Sequence, residues 1–198
     1  MNTIIFATNN ENKVSEVRSI LKDKFRILSL KEAGIDIDIP EPYDSLEENA
    51  REKAKAIFEL SDKNCFSEDT GLEVESLGGE PGVKSARYAG EEKSFDKNIE
   101  KLLKKLEGVV NRKAKFRTVI SLIIDSKETL FEGICEGTIG YNKRGEGGFG
   151  YDPIFLPDGS IHTFDEMKME EKNQFSHRKK ATDKLIAYLS NSPFRKAE

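Results

Sequence analysis

Glu68 and Asp69 stand side by side in the run Cys65-Phe66-Ser67-Glu68-Asp69-Thr70-Gly71-Leu72. Adjacent carboxylates can ligate a hard cation and take a proton from its water, the pairing that cleavage of a phosphate ester or anhydride needs. Cys65 and Phe66 are strand-like and Asp69-Thr70-Gly71 is turn chemistry, so both acids are expected where a strand ends, which is where ligands bind in an α/β sheet. The same residues also fit an acidic surface turn.

Two further stretches carry charge in unusual places. Thr8-Asn9-Asn10-Glu11-Asn12-Lys13 follows a short apolar run and opens a helix, with Asn9 or Asn10 as its cap. A lysine in a first helical turn gains nothing from the helix dipole, so Lys13 is better explained by a bound anion. With the N–H groups of residues 8 to 13 it would form a phosphate cradle, although the G-x-x-x-x-G-K-[ST] string is missing. His177, Arg178, Lys179 and Lys180 break the same rule four times after Ser176, at the start of the final helix. A solvated basic helix start is the bland alternative.

The elements that must position these groups follow from periodicity. Thr3 to Ala7 reads as a strand, and Val14, Val17, Ile20 and Leu21 as the inner stripe of a helix. Phe25 to Leu30 reads as a strand, and Ile35, Ile37 and Ile39 alternate with Asp36 and Asp38 before Pro40-Glu41-Pro42. Ser45 and Glu48 have capping-box spacing ahead of a helix striped by Leu46, Ala50, Ala54, Ile57 and Phe58. Asn49 and Lys53 share a face beside that stripe, and Lys53 could point into a cleft or to bulk water. Phe95 to Leu106 is a scaffold helix; Phe116 to Ile124 is a central strand, joined through a short turn to Thr129 to Cys135, which makes the sheet mixed. In Gly145-Glu146-Gly147-Gly148-Phe149-Gly150-Tyr151-Asp152-Pro153 the glycines leave room for a ligand, and Phe149 and Tyr151 offer faces on which a base can stack.

At 198 residues the chain is expected to form one domain with two lobes. Its charged share is 34%, against about 25% in ordinary soluble domains, and its net charge of −4 gives no field for duplex nucleic acid. Cys65 and Cys135 are too few and too apolar in context for a disulfide framework or a zinc site, so buried thiols in a reducing cytoplasm are expected. No stretch has the length or apolarity of a signal peptide or membrane span.

Taken in order, Thr8-Asn9-Asn10 with Lys13, Glu48-Asn49-Ala50 with Lys53, Glu68-Asp69-Thr70-Gly71-Leu72, Pro81-Gly82 to Gly90, Phe149-Gly150-Tyr151-Asp152-Pro153 and Ser176-His177-Arg178 closely resemble the inosine triphosphate pyrophosphatase family, from Ile4 to about Leu189. The resemblance implies an elongated mixed α/β fold, a twisted sheet with flanking helices and two lobes around a central cleft. It also implies a homodimer, a Mg²⁺ requirement, and house-cleaning hydrolysis of ITP, dITP and XTP to the monophosphate and pyrophosphate. By the same resemblance residues 8 to 13 and Lys53 hold the triphosphate, Glu41 and Asp69 ligate Mg²⁺, Asp69 accepts the proton and Thr70 touches substrate. Phe149 stacks on the purine, Gly150, Tyr151 and Asp152 shape its pocket, and Lys172, His177 and Arg178 read its edge.

Two positions depart from the family pattern. Pro42-Tyr43 follows Glu41 where relatives usually have Thr-Gly, and Glu68 replaces a common aspartate, which leaves it an auxiliary acid. The chemistry agrees with the resemblance, since anhydride cleavage needs positioning and charge neutralisation, and donors such as Arg178 and His177 match a 6-keto group but not a 6-amino group. A nucleotide- or single-strand RNA-binding module using Phe149, Tyr151 and residues 176 to 180 without chemistry is the competing reading, disfavoured by the acidic net charge.

Overall fold

The computed structural model describes residues 3–21, 25–146 and 148–191, so Gly147 of the glycine string lies outside the described residues. The chain forms two compact units, the first from Met1–Asp69, Thr118–Gly133 and Arg178–Glu198, the second from Thr70–Arg117 and Ile134–His177. Strand order is β2-β1-β3-β5-β6-β7 with β4 paired to β3, for β1 Thr3–Phe6, β2 Arg26–Ser29, β3 Cys65–Val74, β4 Pro81–Gly82, β5 Lys113–Ile124, β6 Lys127–Ile139 and β7 Phe155–Pro157. β1 runs parallel to β2 and β3, whereas β4 and β7 run antiparallel to β3 and β6, so the sheet is mixed as expected.

In the first unit the period of two along β1 and β3 sorts side chains between two helical layers. Ile4, Phe6 and Phe66 pack with Val14, Val17 and Leu21 of α1 (Glu11–Leu21) and with Ala181, Leu185 and Leu189 of α5 (His177–Asn191). Ile5, Ala7 and Cys65 pack instead against Ala54 and Ile57 of α2 (Leu46–Ser61). Ser45 caps the helix as its spacing to Glu48 suggests, but without the reciprocal backbone bond of a capping box: the Glu48 amide donates to Ser45 Oγ, which donates to the Glu48 carboxylate. On β2, Arg18 donates to the Ile27 carbonyl at 2.7 Å, Glu32 accepts the Ser29 amide at 2.8 Å, and the two side chains pair with each other.

The second unit has its own core, in which Ile99 and Leu102 of α3 (Phe95–Lys105) meet Leu72, Phe116, Phe155 and Phe164. Arg112 is buried there and donates to the carbonyls of Leu106, Ile139 and Gly140. α4 (Met169–Phe175) precedes α5.

Three expectations change. β3 runs unbroken through Asp69-Thr70-Gly71, so the acids lie within a strand and not at its end. Gly71 serves close packing there: a Cβ would stand 2.7 Å from the Gly82 carbonyl oxygen of β4. β1 pairs with β3 only through Cys65 and Phe66 and stops at Phe6, so it is β1 that ends beside the acids. Ile35, Ile37 and Ile39 do turn inward alternately, onto the α2 layer, but form no strand. The β5–β6 turn is tighter than expected, with Asp125 and Ser126 alone at φ 49° and 63°.

Candidate active site

The first unit holds two buried ion networks, one on each side of β3. Cys65, Ser67 and Asp69, two residues apart, all engage α2: the Cys65 thiol and Ser67 hydroxyl donate to the carbonyls of Ala54 and Ala50, and Asp69 Oδ1 accepts from Lys53 Nζ at 2.9 Å. Lys53 also donates to Glu41 at 2.6 Å, so one ammonium, 6% exposed, sits between two carboxylates. Glu68 faces the other helical layer, where Arg178 Nε and Nη2 of α5 grip its carboxylate at 2.8–3.0 Å and Lys13 of α1 approaches at 3.3 Å. Strand alternation thus corrects the picture of two adjacent acids on one cation.

Charge and burial set different protonation for the two acids. Burial pushes Asp69 above the ordinary carboxylate range, against the pull of Lys53 and Lys13. For Glu68 burial acts in the same direction, but the charges of Arg178 and Lys13 outweigh it and hold the group down to about 2. Lys53 is disfavoured as a cation by burial, yet Asp69 and Glu41 together keep it firmly protonated.

Asp69 Oδ2 is buried and has no hydrogen-bond partner. An ionised oxygen in that position is what a hard cation satisfies, and Glu41 adds a second oxygen donor to the neighbourhood. Among the described residues no three acids, histidines or cysteines converge on one metal position. Two carboxylates with water and phosphate oxygens are nevertheless the usual donor set for Mg²⁺, and the residues present fit that ion.

The turn before α1 is more closed than expected. The amides of Asn12 and Lys13 both donate to Asn10 Oδ1, at 3.0 and 3.2 Å, which makes Asn10 the cap. The Asn10 amide goes to Thr8 Oγ1, the Thr8 amide to the Phe6 carbonyl, and Asn9 Nδ2 to the Ile37 carbonyl. Internal acceptors therefore take several N–H groups of the predicted cradle. Glu11 and Asn12 are exposed, and the Lys13 ammonium is the charge this turn brings to Glu68.

In the second unit Lys172 and Asp152 form a buried pair at 2.7 Å, with Lys172 Nζ 5.4 Å from the centre of the Phe164 ring. His177 lies flat on Phe116, ring centres 4.6 Å apart. Phe149 is half-buried, set edge-on to Phe95 at 5.3 Å, and Gly150 beside it has φ +63°. Thr70 is half-buried on β3.

Two predicted roles are corrected here. Tyr151 is 4% exposed, lies in the core and donates its hydroxyl to the Ser85 carbonyl at 2.9 Å, so its ring offers no stacking face. Gly145 and Gly148 wrap the Asp165 side chain, which any Cβ at either position would overlap, so their room is already used within the chain. Arg178 is 1% exposed and donates from Nε and Nη2 to Glu68 and from Nη1 to Glu16, so acids of the first unit engage its guanidinium. Glu16 was not anticipated; its signal is an acid three residues after Lys13 on a stripe otherwise apolar.

Comparison with known proteins agrees with the motif order. Residues 4–188 match the model of the Ham1 family. The dITP/XTP pyrophosphatase of Porphyromonas gingivalis is 51% identical over 96% of this chain and 98% of its own length, and that of Flavobacterium psychrophilum is 49% identical over 95% and 99%. Among solved structures, the Staphylococcus aureus Ham1 protein superposes with a TM-score of 0.86 at 40% identity, covering 96% of this chain and 98% of that one. A HAM1 protein from Coxiella burnetii gives 0.87 at 33% identity, over 97% and 100%. With motifs, sheet and near-complete coverage in agreement, the chain belongs to the Ham1 family.

Proposed function

We infer that this chain is a Mg²⁺-dependent nucleoside triphosphate pyrophosphatase that converts ITP, dITP and XTP to the monophosphate and pyrophosphate, works as a homodimer in the cytoplasm, and keeps deaminated purines out of DNA and RNA. The observation that carries the reading is Asp69: a buried carboxylate with one oxygen on Lys53, the other unpartnered, and its protonation shifted upward. Such a group suits a general base better than an ordinary surface acid does. The names of the relatives, dITP/XTP pyrophosphatase, support the same substrate class.

Lys13 and Lys53 bind and orient phosphate oxygens, and Asp69 takes the proton of the attacking water as the anhydride bond breaks and pyrophosphate leaves. Mg²⁺, held by Asp69 and Glu41, would supply charge neutralisation at the phosphate oxygens. Phe149 stacks on the purine, while Lys172 and His177 donate to its 6-keto oxygen, which a 6-amino group cannot satisfy.

Pyrophosphate release from ITP, dITP, XTP, GTP and ATP, measured in parallel with Mg²⁺ and with excess chelator, tests this. Metal-dependent release concentrated on ITP, dITP and XTP is expected. Equal rates on all five would discard base reading by Lys172 and His177, and no release would overturn the enzyme reading in favour of a binding module.

A further inference from the structure

Asn49 is buried on α2, 1% exposed, and the chemistry above gives it no task. Both ends of its amide serve one residue: Oδ1 accepts the Tyr43 N–H and Nδ2 donates to the Tyr43 carbonyl, each at 3.0 Å. An aspartate could not donate there, and a leucine could do neither. Tyr43 is itself 40% exposed, so what Asn49 holds is its backbone and not its ring.

Tyr43 lies two residues after Glu41, within residues 35–45, which form neither helix nor strand. The link between the two is stiff. Pro42 fixes its own φ and confines Glu41, as the residue before a proline, to extended backbone. Fixing Tyr43 therefore fixes the direction in which the Glu41 side chain leaves the chain. Asn49 and Lys53 are four residues apart on α2, so one helix face grips this stretch twice, through the Tyr43 backbone and through the Glu41 carboxylate, 2.6 Å from Lys53 Nζ. The two grips differ in kind. Lys53 holds the carboxylate that a cation would take, so its contact weakens as the site fills, whereas the Asn49 contact involves no carboxylate and persists.

We propose that Asn49 is a positioning residue for the cation site: it anchors Tyr43 so that the stiff Glu41-Pro42 link presents the Glu41 carboxylate to the cation beside Asp69, a role that rests on the proposed function only in taking Glu41 as a metal ligand. Pro42, a departure from the family pattern, then belongs to the same device.

Mn²⁺ titration of the nucleotide-free full chain, followed by the relaxation of water protons, tests it alongside the Mg²⁺ concentration that half-saturates turnover of ITP. Asn49→Ala is expected to weaken Mn²⁺ binding about tenfold, as removal of a group behind a metal ligand does, and to raise half-saturating Mg²⁺ in parallel while kcat at saturating Mg²⁺ stays within about twofold. In a Glu41→Gln background the same change is expected to add nothing, because Asn49 acts through Glu41. A merely loosened α2 would disturb Lys53 and Asp69 as well and weaken Mn²⁺ in both backgrounds; that result, or wild-type Mn²⁺ affinity in Asn49→Ala, would overturn the proposal. Should Asn49→Ala fail to fold, Pro42→Gly leaves α2 untouched, frees the link, and must give the same loss, again absent beside Glu41→Gln. A wild-type chain that binds no Mn²⁺ would overturn the role of Asn49 together with that of Glu41. One that binds Mn²⁺ with this coupling yet hydrolyses no nucleotide would refute the enzyme reading and leave the role of Asn49 standing.

Discussion

Glu68 and Asp69 are neighbours in sequence but serve opposite faces of β3, Glu68 bound to Arg178 of α5 and Asp69 to Lys53 of α2. Their substitutions should therefore fail in different ways. Asp69→Asn is expected to fold and to lose turnover by about 100- to 10,000-fold, as removal of a general base does. Glu68→Gln leaves Arg178 and Lys13 short of a buried anion and should cost about 3–5 kcal/mol of stability. Turnover and urea unfolding measured on both variants separate the two roles.

Acid should weaken the fold through Glu68. Its carboxyl is held down to about 2 in the native state against an ordinary 4.5. The unfolded chain takes up that proton first, so the stabilisation is complete above the ordinary value and is lost as pH falls toward the native one. At 1.36 kcal/mol per unit this amounts to about 3 kcal/mol. Urea midpoints compared near about pH 6 and pH 3 should fall in the wild type and fall less in Glu68→Gln.

Gly71→Ala would place a methyl against the Gly82 carbonyl, which belongs to backbone and has little freedom to yield. A loss of about 1–3 kcal/mol is expected, as for other overpacked positions. Ser85 offers a local probe, because its hydroxyl accepts the Leu72 amide and donates to the Gly82 carbonyl. Hydrogen exchange at Leu72 should accelerate in the variant.

Cys65 should resist alkylation. The thiol is buried, donates to the Ala54 carbonyl at 3.3 Å, and burial pushes it up to about 12, so at neutral or mildly alkaline pH it carries almost no thiolate. Mass spectrometry after iodoacetamide should find Cys65 unmodified in the folded chain and modified in urea. Labelling of the folded chain would contradict the packing of β3 on α2.

Legibility in the sequence followed the range of the interactions. The Asn10 and Ser45 caps and the stripes of α1, α2 and α3 depend on neighbours within a few residues, and all were readable. Gly71 was misread as a turn because its reason lies across the sheet, at Gly82. Tyr151 looked like a stacking platform because nothing local shows that its hydroxyl reaches Ser85. Arg178 finds Glu68 and Glu16 at separations of 110 and 162 residues, so its surplus of first-turn charge announced a site without showing which anions held it. The motif order identified the family, and the division of labour between Glu68 and Asp69 needed the strand that separates them.

β2 stands at the end of the strand order, where unpaired backbone groups normally invite another strand. Arg18 and Glu32 already occupy the Ile27 carbonyl and the Ser29 amide. These two side chains thus take two of the backbone groups that an added strand would use on this rim. Loss of both side chains would return those groups to solvent, so Arg18 and Glu32 blunt this edge against strand addition.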